Sequence, residues 1–197
     1  MTEASPADIE LLFTTARSHN GWQDKPVSPE LLGRIYDITK WGPTATNSCP
    51  ARFLFITSPE AKEKLKPTLA ASNVEKALTA PVVVVIAHDM KFFEYLDVLS
   101  PKNNARSWYT GEGKEELIQT TAFKNGTLQG AYLMLAARAL GLDCGPMGGF
   151  NNTKLDETFF AGTNWKSNFI CAMGHGNPEK LYPRAARLPF SEACKVI

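Results

Sequence analysis

Much is missing from this chain of 197 residues, and each absence removes a class of function. Charge is balanced: 21 lysines and arginines face 20 acids, a formal net charge of +1, so nothing pulls the whole molecule towards nucleic acid or an anionic membrane. No C-x-x-C pair occurs. Cys49, Cys144, Cys171 and Cys194 are scattered, and His19, His88 and His175 stand at no ligand spacing beside them, so no metal is expected. The opening Met1-Thr2-Glu3-Ala4-Ser5-Pro6 has neither a basic stretch nor an apolar one, which gives the expectation of a reduced, cytoplasmic setting. No apolar run approaches the roughly 20 residues that a membrane span needs. There is no nucleophile paired with a base, no acid–base dyad, no repeat and no linker, which leaves one domain over residues 1–197.

What is there is a long apolar helix pattern and the glycine-rich stretch that follows it. Hydrophobic residues make up 44% of the chain, enough for a sizeable core. From Leu128 to Leu140 almost every residue is apolar or small, and only Gln129 and Arg138 are strongly polar. With no solvated stripe, a helix of this kind is expected to be buried nearly all round. Gly126 and Gly130, four apart, thin one face for the close approach of another backbone, in this chain or in a second subunit. Gly141 can end the helix, because glycine enters the left-handed conformation without penalty. Pro146 and Gly148-Gly149 then leave backbone amides bare. That loop suits contact with a flat ligand, or it is an ordinary glycine-rich loop.

Taken in order, Ser5-Pro6 opens a helix whose apolar side is Ile9, Leu11, Leu12 and Phe13. Ser28-Pro29-Glu30 opens a second, and Ser58-Pro59-Glu60 a third that runs to Leu69. Phe53 to Thr57 reads as a buried strand. Ala80 to Ala87 is an unbroken β-branched run, whose lack of alternation places it at the centre of a sheet covered on both faces. From His88 to Gly113 the pattern loosens into a lid or a surface excursion. Leu155 to Phe160 suggests a short helix and Ser167 to Gly174 a further strand. The expected fold is α+β: a mixed central sheet with helices on both faces and a long central helix.

Arg17-Ser18-His19-Asn20 offers a guanidinium, a hydroxyl and loop amides within one turn, which suits a phosphate. An arginine at a helix end also simply complements the helix dipole. The same two readings apply to Lys76, Arg184 and Arg187 as surface charges.

Together these pieces resemble the FMN-dependent nitroreductase family, over most of the chain from about Phe13 to Arg187. Members open with an R-S-x-R-x-F segment, here Arg17 to Trp22, followed by an A-P-S-x-x-N-x-Q-P-W loop, here Gly42 to Ala51. An asparagine three residues before a lysine is matched by Asn73 and Lys76. A G-L-x-x-x-P-x-x-G loop is matched by Gly141, Leu142, Pro146 and Gly149, and a late arginine by Arg187. Asn20 stands where many members carry a second arginine, and Gly148 where many carry glutamate. Trp41-Gly42-Pro43-Thr44, Ala105-Arg106-Ser107-Trp108, Gly145-Pro146-Met147 and Lys180-Leu181-Tyr182 resemble one branch, the malonic semialdehyde reductases of uracil breakdown.

The resemblance implies an NAD(P)H-dependent oxidoreductase that carries FMN and relays hydride through flavin N5. No side chain would act as a catalytic acid, base or nucleophile. Arg17, Ser18 and Arg187 would hold the FMN phosphate, with His19, Asn20 and Arg184 nearby. Asn73 and Lys76 would address the pyrimidine edge of the flavin. Pro146, Met147, Gly148 and Gly149 would lie against the ring. Pro43, Thr44, Thr46 and Asn47 would reach the flavin of the neighbouring subunit, giving an intertwined homodimer with two shared sites. The substrate would be malonic semialdehyde, reduced to 3-hydroxypropanoate, its carboxylate met by Arg52 or Arg106 beside Trp108. The alternatives are a broad nitro or quinone reductase on the same scaffold, and a flavin-binding dimer without turnover.

Overall fold

The computed structural model describes residues 3–102 and 104–197. The first two residues of the opening Met1–Pro6 stretch, and Asn103 in the loose segment, lie outside the described residues. In chain order the α-helices are α1 (Pro6–Ile9), α2 (Pro29–Thr39), α3 (Pro59–Leu65), α4 (Ala71–Thr79), α5 (Leu96–Leu99), α6 (Glu115–Ala139), α7 (Asn152–Phe159) and α8 (Phe190–Ala193). The strands are β1 (Ala51–Ile56), β2 (Val82–Asp89), β3 (Asp143–Met147) and β4 (Trp165–Gly174).

The sheet runs β1-β2-β4-β3 with every neighbouring strand pair antiparallel. Where a mixed sheet was expected, parallel pairing among the described residues is limited to the bridge between Ser18 and Cys144 at the β3 edge. Strand β2 is buried along its whole length, and its two faces belong to different cores. Val82, Val84 and Ile86 pack with Leu32 and Ile35 of α2 and with Leu133, Ala136 and Ala137 of α6. Val83, Val85 and Ala87 pack on the other side with Leu65 of α3, Ala77 of α4 and Leu155 of α7. This is the two-sided covering that the unbroken valine run requires.

Three helices start as their sequences dictate. The side chains of Ser5, Ser28 and Ser58 each accept from the amide three residues on, and proline occupies the first turn. The first of them departs from expectation afterwards. It widens into a π-helical turn over Glu10–Thr14, and Ile9, Leu11 and Phe13 are exposed rather than core-facing. The sheet face on that side is already taken by α2 and α6, so this segment can only pack outside α6. Residues 71–79, read only as a lead-in to the valine strand, form α4.

Two expectations about the centre of the molecule are overturned. Residues 141–150 are not simply a loop, since Asp143–Met147 pair with β4 as an edge strand. On an edge, Pro146 removes no ladder hydrogen bond. Gly145 is needed there: a Cβ would stand 2.4 Å from the His19 carbonyl oxygen and 2.5 Å from Lys76 Cε. Nor is α6 buried all round. Its buried stripe includes Asn125, Gly126, Gln129 and Gly130, while Leu117, Phe123 and Leu128 are about half exposed. The polar residues point inward because they staple the chain leading to β1. Ala45 N donates to Asn125 Oδ1 and Ala51 N to Gln129 Oε1, both at 2.8 Å. The glycine face meets this chain's own sheet, with a Cβ at Gly130 falling 2.6 Å from the Phe169 ring and one at Gly126 falling 2.9 Å from His88 Cβ. Gly141 does end α6, at φ +81°, with Leu142 N donating to Ala137 O and Gly141 N to Arg138 O, both at 2.9 Å.

The loose segment after β2 has a small core of its own, in which Phe92, Leu96, Ala105 and Tyr109 pack against Ala122 of α6. It is an anchored excursion.

Candidate functional site

At the β3 edge, the segment after the first helix runs beside β3 and is fastened to it. His19 N donates to Cys144 O at 3.0 Å, Gln23 N to His175 O at 2.8 Å, and Trp22 Nε1 to Lys76 O at 2.9 Å. The carboxyl-terminal tail lies across the same segment. Arg17 donates to the Tyr182 carbonyl, and Arg184 returns a bond to Ala16 O at 2.9 Å. Between them opens a cavity of about 710 Å³ walled by Arg17, Ser18, Asn20, Arg138, Arg184 and Arg187, among others. Four guanidiniums share this wall with no carboxylate. Among the described residues none of the four is in an ion pair, and their bonds go to backbone carbonyls, one each for Arg17, Arg138 and Arg184 and two for Arg187. Each guanidinium carries five donors in a planar fork, so most of that donor capacity is uncommitted. A wall of this kind selects an anion with several acceptor oxygens.

A second, smaller cavity of about 340 Å³ shares Asn20 and Tyr182 with the first and reaches Lys76. Lys76 is buried on α4 with its ammonium 3.4 Å from the Pro146 carbonyl oxygen, and burial pulls its pKa below the ordinary lysine value. One turn earlier, Asn73 Nδ2 donates to Gly149 O at 2.9 Å, as does Ala70 N. Thus α4 grips the backbone where β3 ends. Gly148 between these contacts is open, with no atom within 4 Å of a Cβ placed there. His19, 6% exposed, lies 3.3 Å from Asp143 and has no partner at Nδ1. Burial lowers its pKa; Asp143 opposes that, and Arg17 and Lys76 reinforce it.

The other predicted residues lie elsewhere. Pro43, Thr44, Thr46 and Asn47 precede β1, at the opposite edge of the sheet, and three strand spacings separate β1 from β3, about 14 Å. That turn is strained: Thr46, Asn47 and Cys49 all have positive φ, at 51°, 53° and 40°. It is held by Tyr132 Oη donating to Pro43 O at 3.1 Å and Asn47 Nδ2 donating to Leu99 O at 2.9 Å. Arg52 is committed, 2.7 Å from the buried carboxylate of Asp89 and with its guanidinium 5.3 Å from the Tyr95 ring centre. Arg106 is exposed and paired with Asp97 at 2.7 Å. Trp108, next to it, is about half exposed.

The sequence pattern of the Nitroreductase family matches residues 14–175. The chain belongs to the nitroreductase family. It is 53% identical over 187 residues to HadB of Ralstonia pickettii, covering 94% of this chain and 95% of that protein. It is 54% identical over 191 residues to a protein of Xanthomonas oryzae pv. oryzae, covering 96% of this chain and 95% of that protein. Both carry the provisional name NADH dehydrogenase/NAD(P)H nitroreductase. Among solved structures, a nitroreductase of Exiguobacterium sibiricum in complex with FMN superposes with a TM-score of 0.84, at 22% identity and full coverage of both chains. A Bacillus subtilis nitroreductase gives 0.86 at 22% identity, over 98% of this chain and 100% of that one. At such identities the likeness speaks for the fold alone.

On this nitroreductase fold, a single chain brings Arg17, Ser18, His19, Asn20, Asn73, Lys76, Pro146, Met147, Gly148, Gly149, Arg184 and Arg187 to one edge of the sheet. It does not bring Pro43, Thr44, Thr46, Asn47, Arg52, Arg106 or Trp108 there. One cation of the cavity wall is absent from the sequence reading. Arg138 was seen only as a polar exception in an apolar helix, and that exception was the signal. An arginine in an otherwise apolar stretch has to find an acceptor.

Proposed function

We propose that this nitroreductase-family protein is an NAD(P)H-dependent FMN oxidoreductase whose substrate is malonic semialdehyde, reduced to 3-hydroxypropanoate. The observation that carries the cofactor is the acid-free wall of four arginines, joined through Asn20 and Tyr182 to the cavity of Lys76. The donor set fits FMN at both ends: guanidiniums and the Ser18 hydroxyl for a phosphate dianion, and a buried ammonium with an amide for the polar edge of a flat ring. When bound, FMN supplies a hydride acceptor and donor at N5.

The residues of this chain do the rest. Arg17, Arg184 and Arg187 bind the phosphate and fix the register of the ring. Lys76 would hold positive charge beside the polar edge of the bound group, and its burial makes that charge count for more. Asn73 holds the Gly149 carbonyl and so shapes the backbone on which the ring rests. Gly148 leaves room above that backbone for nicotinamide and substrate in turn.

The edge holding Pro43 to Asn47 completes the site from a second copy of the chain, making a homodimer with two shared sites. Support comes from the apolar surface left uncovered along α6 and beside it: Leu117, Phe123, Leu128, Tyr36, Trp41 and Phe13. Arg106, exposed and paired only at the surface, is the better placed of the two arginines to exchange its partner for a substrate carboxylate. Among the described residues no helix is long and apolar enough to cross a membrane.

The provisional names of the relatives favour a second reading, a broad nitro or quinone reductase. A panel of aldehydes, quinones and nitroarenes, each assayed with NADH and NADPH, separates the two. A yellow protein bleached anaerobically by nicotinamide, and fastest on malonic semialdehyde, is expected. A colourless protein after reconstitution refutes the cofactor, and nitroarenes or quinones turning over faster than the semialdehyde refute the substrate.

A further inference from the structure

Arg138 occupies the last turn of α6 and presents two facts that a helix-end arginine does not require. Its Nη1 donates to Leu12 O at 3.0 Å, while its Nε is buried and has no partner among the described residues. An arginine serving only the helix dipole keeps its head in water, where every donor is hydrated. Here the residue lines the wall shared with Arg17, Ser18, Arg184 and Arg187, which also includes the neutral Asn20. With Nη1 taken by Leu12, the edge left without a protein partner is the one formed by Nε and Nη2. Those two parallel N–H groups are the side of the fork that matches two oxygens of one phosphate. Burying an arginine Nε with nothing to bind is unfavourable unless a bound anion satisfies it.

We propose that Arg138 is a phosphate ligand of the cofactor site, using its Nε–Nη2 edge on the phosphate while Nη1 fixes the end of the first helical segment at Leu12. The inference rests on the FMN reading above, and it makes α6 the source of a cation that the neutral Asn20 does not supply. It also gives the contact with Leu12 a purpose, because that contact orients the guanidinium before the anion arrives.

The test compares FMN with riboflavin, which has the same ring and no phosphate. Both are titrated into the full-length apoprotein by flavin fluorescence, for wild type, Arg138→Met and Arg138→Lys, with circular dichroism confirming the fold. In Arg138→Met, FMN affinity is expected to fall about tenfold or more while riboflavin affinity changes by less than about twofold. Lysine keeps a charge but loses the paired donors, so Arg138→Lys should fall in between. If Arg138→Met does not fold, the lysine variant decides. An unchanged ratio of FMN to riboflavin affinity in the folded variants overturns the inference, as does an equal loss of both ligands, because Arg138 then acts only through Leu12 and the fold. A wild-type protein that shows no preference for FMN over riboflavin refutes the cofactor reading itself.

Discussion

The two edges of the sheet treat their arginines in opposite ways. At the β3 edge, Arg17, Arg138, Arg184 and Arg187 line one cavity and hold only backbone carbonyls. At the β1 edge, Arg52 and Arg106 each have a carboxylate of their own, Asp89 and Asp97. One region stores uncompensated positive charge, which is useful only if an anion arrives. The other is electrically settled, and keeps its tension in the backbone of Thr46, Asn47 and Cys49 instead. Charge without a partner therefore marks a ligand site better than the mere presence of arginine.

The largest test of this contrast puts an acid where β3 ends, between the carbonyls held by Lys76 and Asn73. Gly148 has room for a side chain, so Gly148→Glu should not disturb the fold. Two like charges about 4 Å apart at an effective dielectric near 20 cost on the order of 4 kcal/mol. Turnover of an acidic aldehyde should therefore drop far more than turnover of an uncharged quinone, with Gly148→Gln as the control for bulk. Equal losses in both variants on both substrates would leave only a steric role for the position.

Removing a cation from the acid-free wall comes next. Arg17→Ala should weaken FMN by roughly 1.5–3 kcal/mol, tenfold or more, read as cofactor retained after dialysis. Full occupancy in the mutant would show that its guanidinium serves only Tyr182.

On the settled side the same substitution should act on stability. Arg52→Ala leaves the buried Asp89 carboxylate with the Lys91 amide but without its cation, and should cost about 1.5–3 kcal/mol in denaturant unfolding. Arg106→Ala breaks an exposed pair and should cost no more than about 1 kcal/mol. If Arg106 meets the substrate carboxylate, its loss raises KM for the semialdehyde without that stability change. An unaltered KM removes it from the site.

The smallest effect is a pH dependence. Burial lowers the pKa of His19, His88 and His175 below the usual 6.5. The unfolded chain thus binds more protons than the folded one between each lowered pKa and 6.5. Stability from this source is complete above pH 6.5 and is lost as pH falls towards the folded values. Denaturation midpoints between pH 7.5 and 5 should decline, and His19→Asn should flatten part of the slope. A midpoint that rises on acidification would reverse the sign assigned here.

How legible was this in the sequence? The valine strand, the serine–proline helix starts and the Gly141 stop were readable because each depends on local chemistry or simple periodicity. The loop matches around Arg17, Asn73 and Pro146 could be ordered along the chain, and they meet because α4 and β3 converge. Three things were hidden. Strand β3 carries a glycine and a proline that argue against a strand, and only its edge position permits them. The inward turn of Asn125 and Gln129 depends on distant backbone amides at Ala45 and Ala51. The membership of Arg138 in the cavity depends on where the tail crosses, which no spacing encodes.

Helix α6 joins the two edges. Near its middle Asn125 pins the strained turn, and in its last turn Arg138 reaches the cation wall. Thirteen residues at 1.5 Å each set them about 20 Å apart. The spacing of these two regions is thus set by a helical ruler rather than by any loop. One residue inserted between Asn125 and Arg138 would advance one end by about 1.5 Å and rotate it by roughly 100°. Either the turn or the guanidinium would then face the wrong way. The stretch of α6 from Asn125 to Arg138 therefore tolerates no change in length.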